Sequence, residues 1–285
     1  MIAHIRKALA VLILLAAVVG AGSSANAHGS VSCGDVLTTS TTLKADLACD
    51  VNALRVGADG IVIDLNGHTI TARPDGSGAY PAYGVDNSGG YDQVVVKDGS
   101  IAGFGEAAVY FDQVQGSTVR RIRFDHNRDL GLRLVDSGDN DIRRNTIIGG
   151  RIGIDMTSDT PPAAGNRIVL NRIRGDGEMD IGVRLRRSHN NVVSRNTVTG
   201  VNAEAIVLNR ANDNLVTRNT LRDNGFAGIN LFRDSDANVL RRNTIVDNGR
   251  GVLVQAGSEA TVIAKNVIRG ARVDVGLTAV SYTHL

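Results

Sequence analysis

The chain has few large side chains: only 4% of its 285 residues are aromatic, and tryptophan is absent. Apart from residues 8–20, no apolar run reaches helix length, and only two cysteines occur. These absences disfavour helical repeat architectures, which need periodic helices in every unit. So few aromatic residues suffice if the core is built from regular layers of Val, Ile and Leu.

The balance of charge disfavours further classes. The formal net charge of +2 comes from Arg6 and Lys7, because residues 1–27 contain no Asp or Glu. Outside that segment, 31 − 2 = 29 basic residues balance 29 acidic ones. Such a near-neutral chain argues against general binding to nucleic acid or to an anionic membrane surface. No nucleotide-binding glycine loop, zinc signature or nucleophile elbow stands out either.

One short motif is abundant: N-x-[IVL]-x-x-N-x-[IVL], followed by G-[IVL]-x-[LVM]. It occurs seven times after Ser117, with successive spacings of 23, 26, 25, 23, 24 and 23 residues. Ile122 holds the central position of the first copy, and the later copies have Asn145, Asn171, Asn196, Asn219, Asn243 and Asn266 there. A fixed period in the twenties predicts a solenoid.

Each copy contains three short alternating apolar runs rich in Val, Ile and Thr, a pattern typical of strands. Gly and Asn between the runs tolerate the positive φ of tight corners. Three strands per coil predict an all-β fold, a parallel β-helix. Because coils stack ~4.8 Å apart, we expect the central asparagines to form a hydrogen-bonded ladder; solvated turn residues are the alternative.

Weaker copies precede the clear ones. Val94–Phe104 and Ile61–Ile70 match the motif with Gly99 and Gly67 at the asparagine position. We therefore predict one elongated domain, a parallel β-helix over residues 61–279. With about nine coils it would be roughly 40–45 Å long.

The N-terminal region has the features of an exported protein. Arg6 and Lys7 precede the apolar run 8–20, which is too short to span a bilayer, and Ala25-Asn26-Ala27 forms a small-x-small cleavage site. Residues 1–27 are interpreted as a signal peptide, with a membrane anchor as the alternative. The mature chain is expected in the periplasm, at the cell surface or in the medium, without a membrane span.

Cys33 and Cys49 are the only cysteines. In an oxidising compartment they are expected to form a disulfide that contributes ~3 kcal/mol. It would staple residues 28–60, interpreted as an N-terminal cap over the first coil. A metal or redox role is the alternative, but C-x-x-C spacing and neighbouring histidines are missing.

Residues 280–285 abandon the repeat in mid-strand and resemble a translated adapter from sequencing-library preparation. The natural chain is therefore expected to continue, and Tyr282 and His284 are given no functional weight. An uncapped last coil exposes strand edge and apolar core, which predicts self-association.

Basic residues form a column immediately before the central asparagine: Arg121, Arg144, Arg195, Arg218, Arg242 and Lys265. Stacked cations repel one another, and acidic residues in nearby turns are expected to offset them: Asp139, Asp213, Asp236 and Glu259. The column is interpreted as a solvated face, with an anion-binding groove as the alternative.

The N-x-V-x-x-N-x-V repeat, Cys33-Gly34-Asp35 and the segment Asp64–Ile70 resemble the right-handed parallel β-helix repeat proteins, which include NosD-type periplasmic proteins. The resemblance covers roughly residues 31–279 and implies a right-handed coil of 23–26 residues. Pectate lyases, polygalacturonases and alginate epimerases share this broad architecture, with sugar bound along an outer strand face. The NosD resemblance also implies copper handling, but few His and Met residues are present, which disfavours a soft-metal site.

By analogy with those enzymes, two outward columns of one strand per coil become candidates. The first reads Asp86, Tyr110, Arg133, Asp155, Arg184, Val207, Asn230 and Leu253. The second reads Ser88, Asp112, Val135, Thr157, Arg186, Asn209, Phe232 and Gln255. Charge is concentrated in the early coils, beside insertions at residues 71–83, 158–165 and 175–180.

We predict that this face binds an extended polysaccharide or envelope glycan. The expected binding residues are Asp86, Tyr110, Asp112, Arg133, Arg186, Tyr80, Tyr83, Asp176, Glu178 and Asp180. Arginine forks suit sugar carboxylates, and aromatic rings stack on sugar rings. The enzyme alternative is a polysaccharide lyase or C5-epimerase acting on uronic-acid polymers, or a glycoside hydrolase, with Arg184 and Asp155 as catalytic residues. The second alternative is a structural or adhesive rod whose Asp and Arg residues neutralise each other.

No cofactor is expected. The acidic loops offer oxygen ligands to calcium, as in pectate lyases, but no D-x-D-x-D-G loop is present. Asp125-His126-Asn127 lacks the full D-P-H-D pattern of alginate epimerases, and no catalytic role is assigned to it. His68 and His189 are interpreted as turn residues.

Overall fold

The computed structural model describes residues 30–159, 164–255 and 257–278, together with the backbone of 283–284. The predicted signal peptide, the tip of the 158–165 insertion and most of the last six residues lie outside these ranges. Within them, all regular structure is strand, and every strand pairing is parallel. The prediction of an all-β parallel solenoid is confirmed, while its right-handed coil stays a prediction.

Each coil contributes in turn to three parallel sheets, here called sheets 1, 2 and 3. Sheet 1 consists of Asp35–Leu37, Leu54–Val56, Tyr83–Asn87, Ala107–Asp112, Leu130–Val135, Ile152–Thr157, Ile181–Arg186, Glu204–Asn209, Ala227–Phe232, Arg250–Val254 and Val275–Leu277. These eleven strands define about ten turns among the described residues. The stack is longer than the sequence count because segment 28–60 itself supplies strands in register.

Sheets 2 and 3 have mostly three-residue strands. Sheet 2 contains Thr41–Thr42, Val62–Asp64, Asp141–Arg143, Arg167–Val169, Val192–Ser194, Leu215–Thr217, Val239–Arg241, Thr261–Ala264 and Thr283–His284. Sheet 3 contains Leu47–Cys49, Thr69–Ala72, Thr146–Ile148, Arg172–Arg174, Thr197–Thr199, Thr220–Arg222, Thr244–Val246 and Val267–Arg269. Val95–Ala102 and Thr118–Asp125 run through both sheets without a break.

The core is a continuous stack of mostly aliphatic side chains inside the coil, with Phe104, Phe111 and Phe124 fully buried among them. The middle residue of a short strand points inward, as Val193 and Val198 do, and both are fully buried. The glycine of the G-[IVL]-x-[LVM] motif has a steric reason in this stack. A Cβ on Gly131 would lie 2.6 Å from the carbonyl oxygen of Gly153 in the next coil, so only glycine fits between the coils.

The central asparagines form a buried column of hydrogen bonds at the corner between sheets 2 and 3. In a typical step, Asn219 Nδ2 donates to Asn243 Oδ1 (3.0 Å) and to the Val193 carbonyl (2.9 Å). Its Oδ1 accepts from the backbone N–H and the Nδ2 of Asn196 (2.9 and 3.1 Å). Each side chain therefore satisfies the buried polar groups of two neighbouring coils.

A second ladder occupies the corner between sheets 1 and 2, where the sequence analysis did not place one. It consists of the first asparagine of the motif in five coils: Asn140, Asn166, Asn191, Asn214 and Asn238. A shorter column at the corner between sheets 3 and 1 includes Asn224 and Asn248. Both main ladders are built from asparagines of the motif. The motif therefore predicts two columns of asparagine, one at each of its two asparagine positions.

The Cys33–Cys49 disulfide joins residues 16 apart, with their Cα atoms 5.5 Å apart. Reducing it is expected to lower the free energy of unfolding by about 3 kcal/mol, because the unfolded chain regains loop entropy. Urea unfolding of the oxidised protein, the reduced protein and the Cys33→Ser/Cys49→Ser variant measures this loss. The chain has no other cysteine, so equal stability of all three forms would contradict a stabilising staple.

Candidate functional site

The outer side of sheet 1 between Asp86 and Asn209 is called the sheet 1 face. The strands of sheet 1 pair in register, so the residues of the first predicted column are neighbours in successive coils: Asp86, Tyr110, Arg133, Asp155, Arg184 and Val207. The second runs through Asp112, Val135, Thr157, Arg186 and Asn209. Because the side chains stand on rigid strands, a ligand lying along the axis would meet a fixed array.

Two stacked tyrosines stand at the early end of this face. The Tyr83 and Tyr110 rings lie nearly parallel, with centroids 4.6 Å apart and an interplanar angle of 11°. Tyr83 Oη donates to Glu106 (2.6 Å), and Tyr110 Oη donates to Asp112 (3.0 Å). Burial and the hydrogen bond to Asp112 raise the pKa of Tyr110 to about 12, and burial with Glu106 also raises the pKa of Tyr83. Both phenols therefore stay protonated and fixed in orientation.

An apolar strip adjoins the tyrosines. Ala107, Leu130 and Ile152 occupy the same position in successive coils and form a small buried cluster outside the main core. Tyr83, Tyr110 and Ile181 pack against it. The strip supports both aromatic rings from the side, and the charged columns border it.

Asp155 is held in a closed ion pair at the centre of the sheet 1 face. Arg184 donates to it through Nε and Nη2, at 2.7 and 3.0 Å, and Arg133 Nε lies 4.0 Å away. Asp155 is only 1% exposed. Burial opposes the charge of Arg184, but the hydrogen bonds to Asp155 outweigh this cost, so the pKa of Arg184 lies above its ordinary value.

Three polar atoms on this face are buried without a hydrogen-bond partner: Arg133 Nε, Arg186 Nε and Asn209 Oδ1. Within the described part of the chain, only two other side-chain atoms share this state, Arg120 Nε and Thr261 Oγ1. An unpaired buried donor or acceptor costs about 1–3 kcal/mol. These atoms are closed to solvent, whereas the Arg133 and Arg186 side chains as a whole are 37% and 40% exposed.

A groove of about 640 Å³ lies at the corner between sheets 3 and 1, beside the sheet 1 face. We call it the corner groove; it is lined by Tyr80, Gly103, His126, Arg128, Gly150, Arg151, Glu178 and Asp180. The Arg128 guanidinium stacks over the Tyr80 ring at 3.6 Å. Arg151 Nε donates to Asp129 (2.6 Å), and the carboxylates Glu178 and Asp180 of the 175–180 insertion are exposed.

His126 stands between two carboxylates at this groove. Its Nδ1 lies 2.6 Å from Asp125, and its Nε2 lies 3.4 Å from Asp176. Burial alone would raise the pKa of Asp125, but hydrogen bonds from Arg123 and His126 hold it below its usual range. The sequence had assigned no catalytic role to His126 and had not singled out Arg128. One sequence signal was available: His126 stands at a corner position that Gly103 and Gly149 occupy in adjacent coils.

The predicted binding residues thus fall into two adjoining groups. Tyr83, Tyr110, Asp112, Arg133 and Arg186 share the sheet 1 face with Asp155 and Arg184. Tyr80, Asp176, Glu178 and Asp180 belong instead to the corner groove. Asp86 is on the sheet 1 face but only 3% exposed, because Asn52, Arg55 and the Ser88 amide contact its carboxylate.

The described side chains do not form a transition-metal site. No cluster of three His, Cys, Asp or Glu residues has metal-ligand geometry among them. Cys33 and Cys49 are joined in the disulfide, and Met156 and Met179 are buried in the apolar core. The soft sulfur ligands that copper prefers are therefore engaged elsewhere. No helix occurs in the described ranges that could cross a bilayer.

Comparison with known proteins gives one family and several similar folds. The family profile described as "Periplasmic copper-binding protein (NosD)" matches residues 61–238 and 182–284. No curated protein matches the chain. A mutant of the periplasmic alginate epimerase AlgG has a TM-score of 0.58 at 16% identity, over 87% of this chain and 76% of that one.

The catalytic domain of a GH87 α-1,3-glucanase, solved in complex with nigerose, has a TM-score of 0.60 at 11% identity. The match covers 89% of this chain and 63% of the glucanase chain. Unmutated AlgG gives a TM-score of 0.53 at 16% identity. At such low identity these likenesses concern the fold.

Proposed function

The chain belongs to the family described as periplasmic copper-binding protein (NosD), and on that premise we propose that it binds an extended polysaccharide outside the cytoplasm. The ligand would lie along the sheet 1 face, with the corner groove as a side site. Copper is named in the family description, but the donor set of the described residues does not fit it. No step of the proposal uses a metal.

The partly exposed polar side chains of this face carry the proposal. Those of Arg133 and Arg186 are 37% and 40% exposed, and Asn209 is partly exposed beside them. Hydroxyl and carboxylate groups of a polysaccharide offer both donors and acceptors to these side chains. The arginine forks suit carboxylates in particular, because two N–H groups can donate to one carboxylate.

The tyrosine pair and the apolar strip supply the second part of a sugar-binding surface. A sugar ring has an apolar face that packs on flat aromatic or aliphatic surface while its hydroxyls reach polar side groups. Tyr83 and Tyr110 are fixed by their stacking and hydrogen bonds, so little entropy is lost when a ligand covers them. The Arg128–Tyr80 stack presents a similar combination in the corner groove.

Arg184 and Asp155 were predicted to be catalytic, and that role stays a prediction. Their contacts are those of a closed ion pair, in which the carboxylate is buried and the guanidinium holds its proton firmly. Such a pair positions charge well but exchanges protons poorly. We therefore assign Arg184 to ligand binding through the edge that faces away from Asp155.

Two further observations agree with this proposal. The disulfide fits an oxidising compartment, as the periplasmic description of the family does. The similar solved proteins are named as an alginate epimerase and an α-1,3-glucanase, so their names denote polysaccharide substrates. A location at the cell surface or in the medium is equally compatible with the proposed ligand.

Tyr110→Ala is expected to weaken polysaccharide affinity about tenfold, the effect of losing one aromatic contact of ~1.4 kcal/mol. Affinity electrophoresis through gels containing alginate, pectate or an α-glucan measures the effect for the polymer that retards the wild type most. Tyr110→Phe keeps the ring and should retain most of the affinity.

Phe232→Ala is the matched control, because Phe232 is an aromatic residue of sheet 1 in a later coil. It should leave mobility unchanged. Absence of retardation of the folded wild type in every gel would overturn the proposed function. Equal effects of Tyr110→Ala and Phe232→Ala would overturn the assignment to the tyrosine end of the face.

A further inference from the structure

Positive charge is segregated onto the outer side of sheets 2 and 3 in the later coils. Segments 167–175, 192–200, 215–222, 239–246 and 262–270 contain no acidic residue. They contain ten basic ones: Arg167, Arg172, Arg174, Arg195, Arg218, Arg222, Arg241, Arg242, Lys265 and Arg269. Outside residues 1–27, the remainder then holds 29 − 10 = 19 basic and 29 acidic residues. A near-neutral chain thus has one strongly positive side.

The centre of this side is a regular row of cations. Arg195, Arg218, Arg242 and Lys265 occupy the corner between sheets 2 and 3, each exposed and each with a φ of 55–57°. Backbone hydrogen bonds of 3.2 Å join the Arg195, Arg218 and Arg242 positions to the next coil. The row therefore repeats once per coil, about every 4.8 Å. We call it, with Arg167 and Arg241, the cationic stripe.

The acidic residues expected to offset this row lie elsewhere. Asp213 precedes Asn214 at the corner between sheets 1 and 2, and the width of sheet 2 separates it from Arg218. Five residues of extended chain span ~16 Å, beyond a Debye length of ~8 Å at physiological salt. In the described ranges, no ion pair involves the four cations of the row, whereas earlier basic residues such as Arg121 and Arg143 do pair with carboxylates.

The stripe borders a shallow groove of about 340 Å³ that extends over four coils. Val192, Ser194, Leu215 and Thr217 form part of its lining, beside Arg167, Arg195, Arg218, Arg241 and Arg242. The groove thus combines small apolar and hydroxyl surface with cations along its sides. None of its lining residues is aromatic.

We propose that the cationic stripe is a binding site for a linear acidic polysaccharide that runs parallel to the solenoid axis. A single small anion would meet only one or two of the cations, whereas a polymer with regularly spaced carboxylates meets one in each coil. Binding would relieve the mutual repulsion of the row and release counterions from the polymer. The site lies on different sheets from the sheet 1 face and does not rest on the function proposed there.

The lining favours an acidic polysaccharide over a single-stranded nucleic acid. Proteins that bind single strands combine positive charge with aromatic side chains on which the bases stack. The groove has the charge but no aromatic residue, and its Val and Leu surface suits the apolar edges of sugar rings. The disulfide is also in keeping with an environment where envelope polysaccharides occur.

The test uses polygalacturonate as the probe and the triple variant Arg195→Gln/Arg218→Gln/Arg242→Gln. The matched control is Arg187→Gln/Arg210→Gln/Arg233→Gln, which alters the same three coils. These arginines also have positive φ, at 51–55°, and lose the same charge at the corner between sheets 1 and 2. Arg187 differs from the others in pairing with Asp159. Titration calorimetry at several NaCl concentrations measures affinity and its salt dependence, with neutral dextran as the uncharged polymer.

We expect the stripe variant to bind polygalacturonate at least tenfold more weakly, with a shallower dependence of log K on log salt. The control should bind as the wild type does, and dextran should not respond to either change. Equal losses in both triples, or no loss in the stripe variant, would overturn the proposal. So would equally tight binding of single-stranded DNA that the same stripe substitutions abolish, since that assigns the stripe to nucleic acid.

Folding of the variants is checked by circular dichroism and thermal midpoint. If the glutamine triple unfolds, Arg195→Asn/Arg218→Asn/Arg242→Asn replaces it, because asparagine adopts the left-handed conformation readily. Tyr110→Ala leaves the stripe intact. Its effect therefore separates failure of the sheet 1 proposal from failure of this one.

Discussion

Replacing Asn219 with alanine is expected to lower the free energy of unfolding by roughly 3 kcal/mol or more. Asn219 is 1% exposed and joins three coils. Its loss would leave the Asn196 amide groups without their acceptor and the Val193 carbonyl without its donor. Each buried group that is left without a hydrogen-bond partner costs about 1–3 kcal/mol, and alanine has no polar atom to replace the lost bonds. Urea unfolding followed by circular dichroism measures the change.

Asn266→Ala provides the internal comparison. Asn266 makes the same type of contacts at the later end of the ladder, but it is partly exposed, so water can replace them. Its loss should cost about 1 kcal/mol. If both substitutions cost the same small amount, the asparagines would be solvated corner residues, and the ladder would not explain the stability of the stack.

The second large effect is expected at Asp155. Asp155→Asn should lower the free energy of unfolding by about 3 kcal/mol, because Arg184 loses its buried partner and Arg133 its nearest carboxylate. Asp155→Val/Arg184→Val should recover most of this loss. Apolar residues already occur at this position, since Val207 and Leu253 occupy it in later coils.

Thermal and urea unfolding of the wild type, the single variant and the double variant measure the coupling. The double variant also tests function, because it keeps the fold while removing both charges from the sheet 1 face. A stable double variant with wild-type polysaccharide retardation would show that the pair only neutralises itself. A double variant as unstable as Asp155→Asn would contradict the view that apolar residues fit these positions.

The fold could be predicted from the sequence because each copy of the motif forms one coil. Spacing of the central asparagine predicted the coil, and period-two alternation predicted which residues of sheet 1 face outward. Register then follows automatically, since each strand pairs with the same motif one coil later. The period of the central asparagine does not by itself predict the second ladder, which Asn140 and its equivalents form at the first asparagine of the motif.

The corner groove could not be predicted in the same way. Tyr80 lies in the 71–83 insertion, and it meets Arg128, far along the sequence, only where that insertion folds over the corner that follows Thr118–Asp125. Insertions have no period, so their conformations depend on contacts that alternation does not encode. The charges of the stripe were visible in the sequence, but the width of sheet 2, which separates them from Asp213, was not.

The central ladder has a chemical direction. In every neighbouring pair, the side-chain amide nitrogen of the earlier asparagine donates to the carbonyl oxygen of the later one, from Asn145 to Asn266. Carbonyl groups of the column therefore face the earlier coil throughout. Aligned amides polarise one another, as they do along an α-helix. The ladder therefore begins and ends in unlike contacts: its first carbonyl oxygen, on Asn145, accepts from the Ile122 amide, and its last amide nitrogen, on Asn266, donates back to the Leu240 carbonyl. Only a side chain that presents an acceptor to Asn266 could extend the column by another coil.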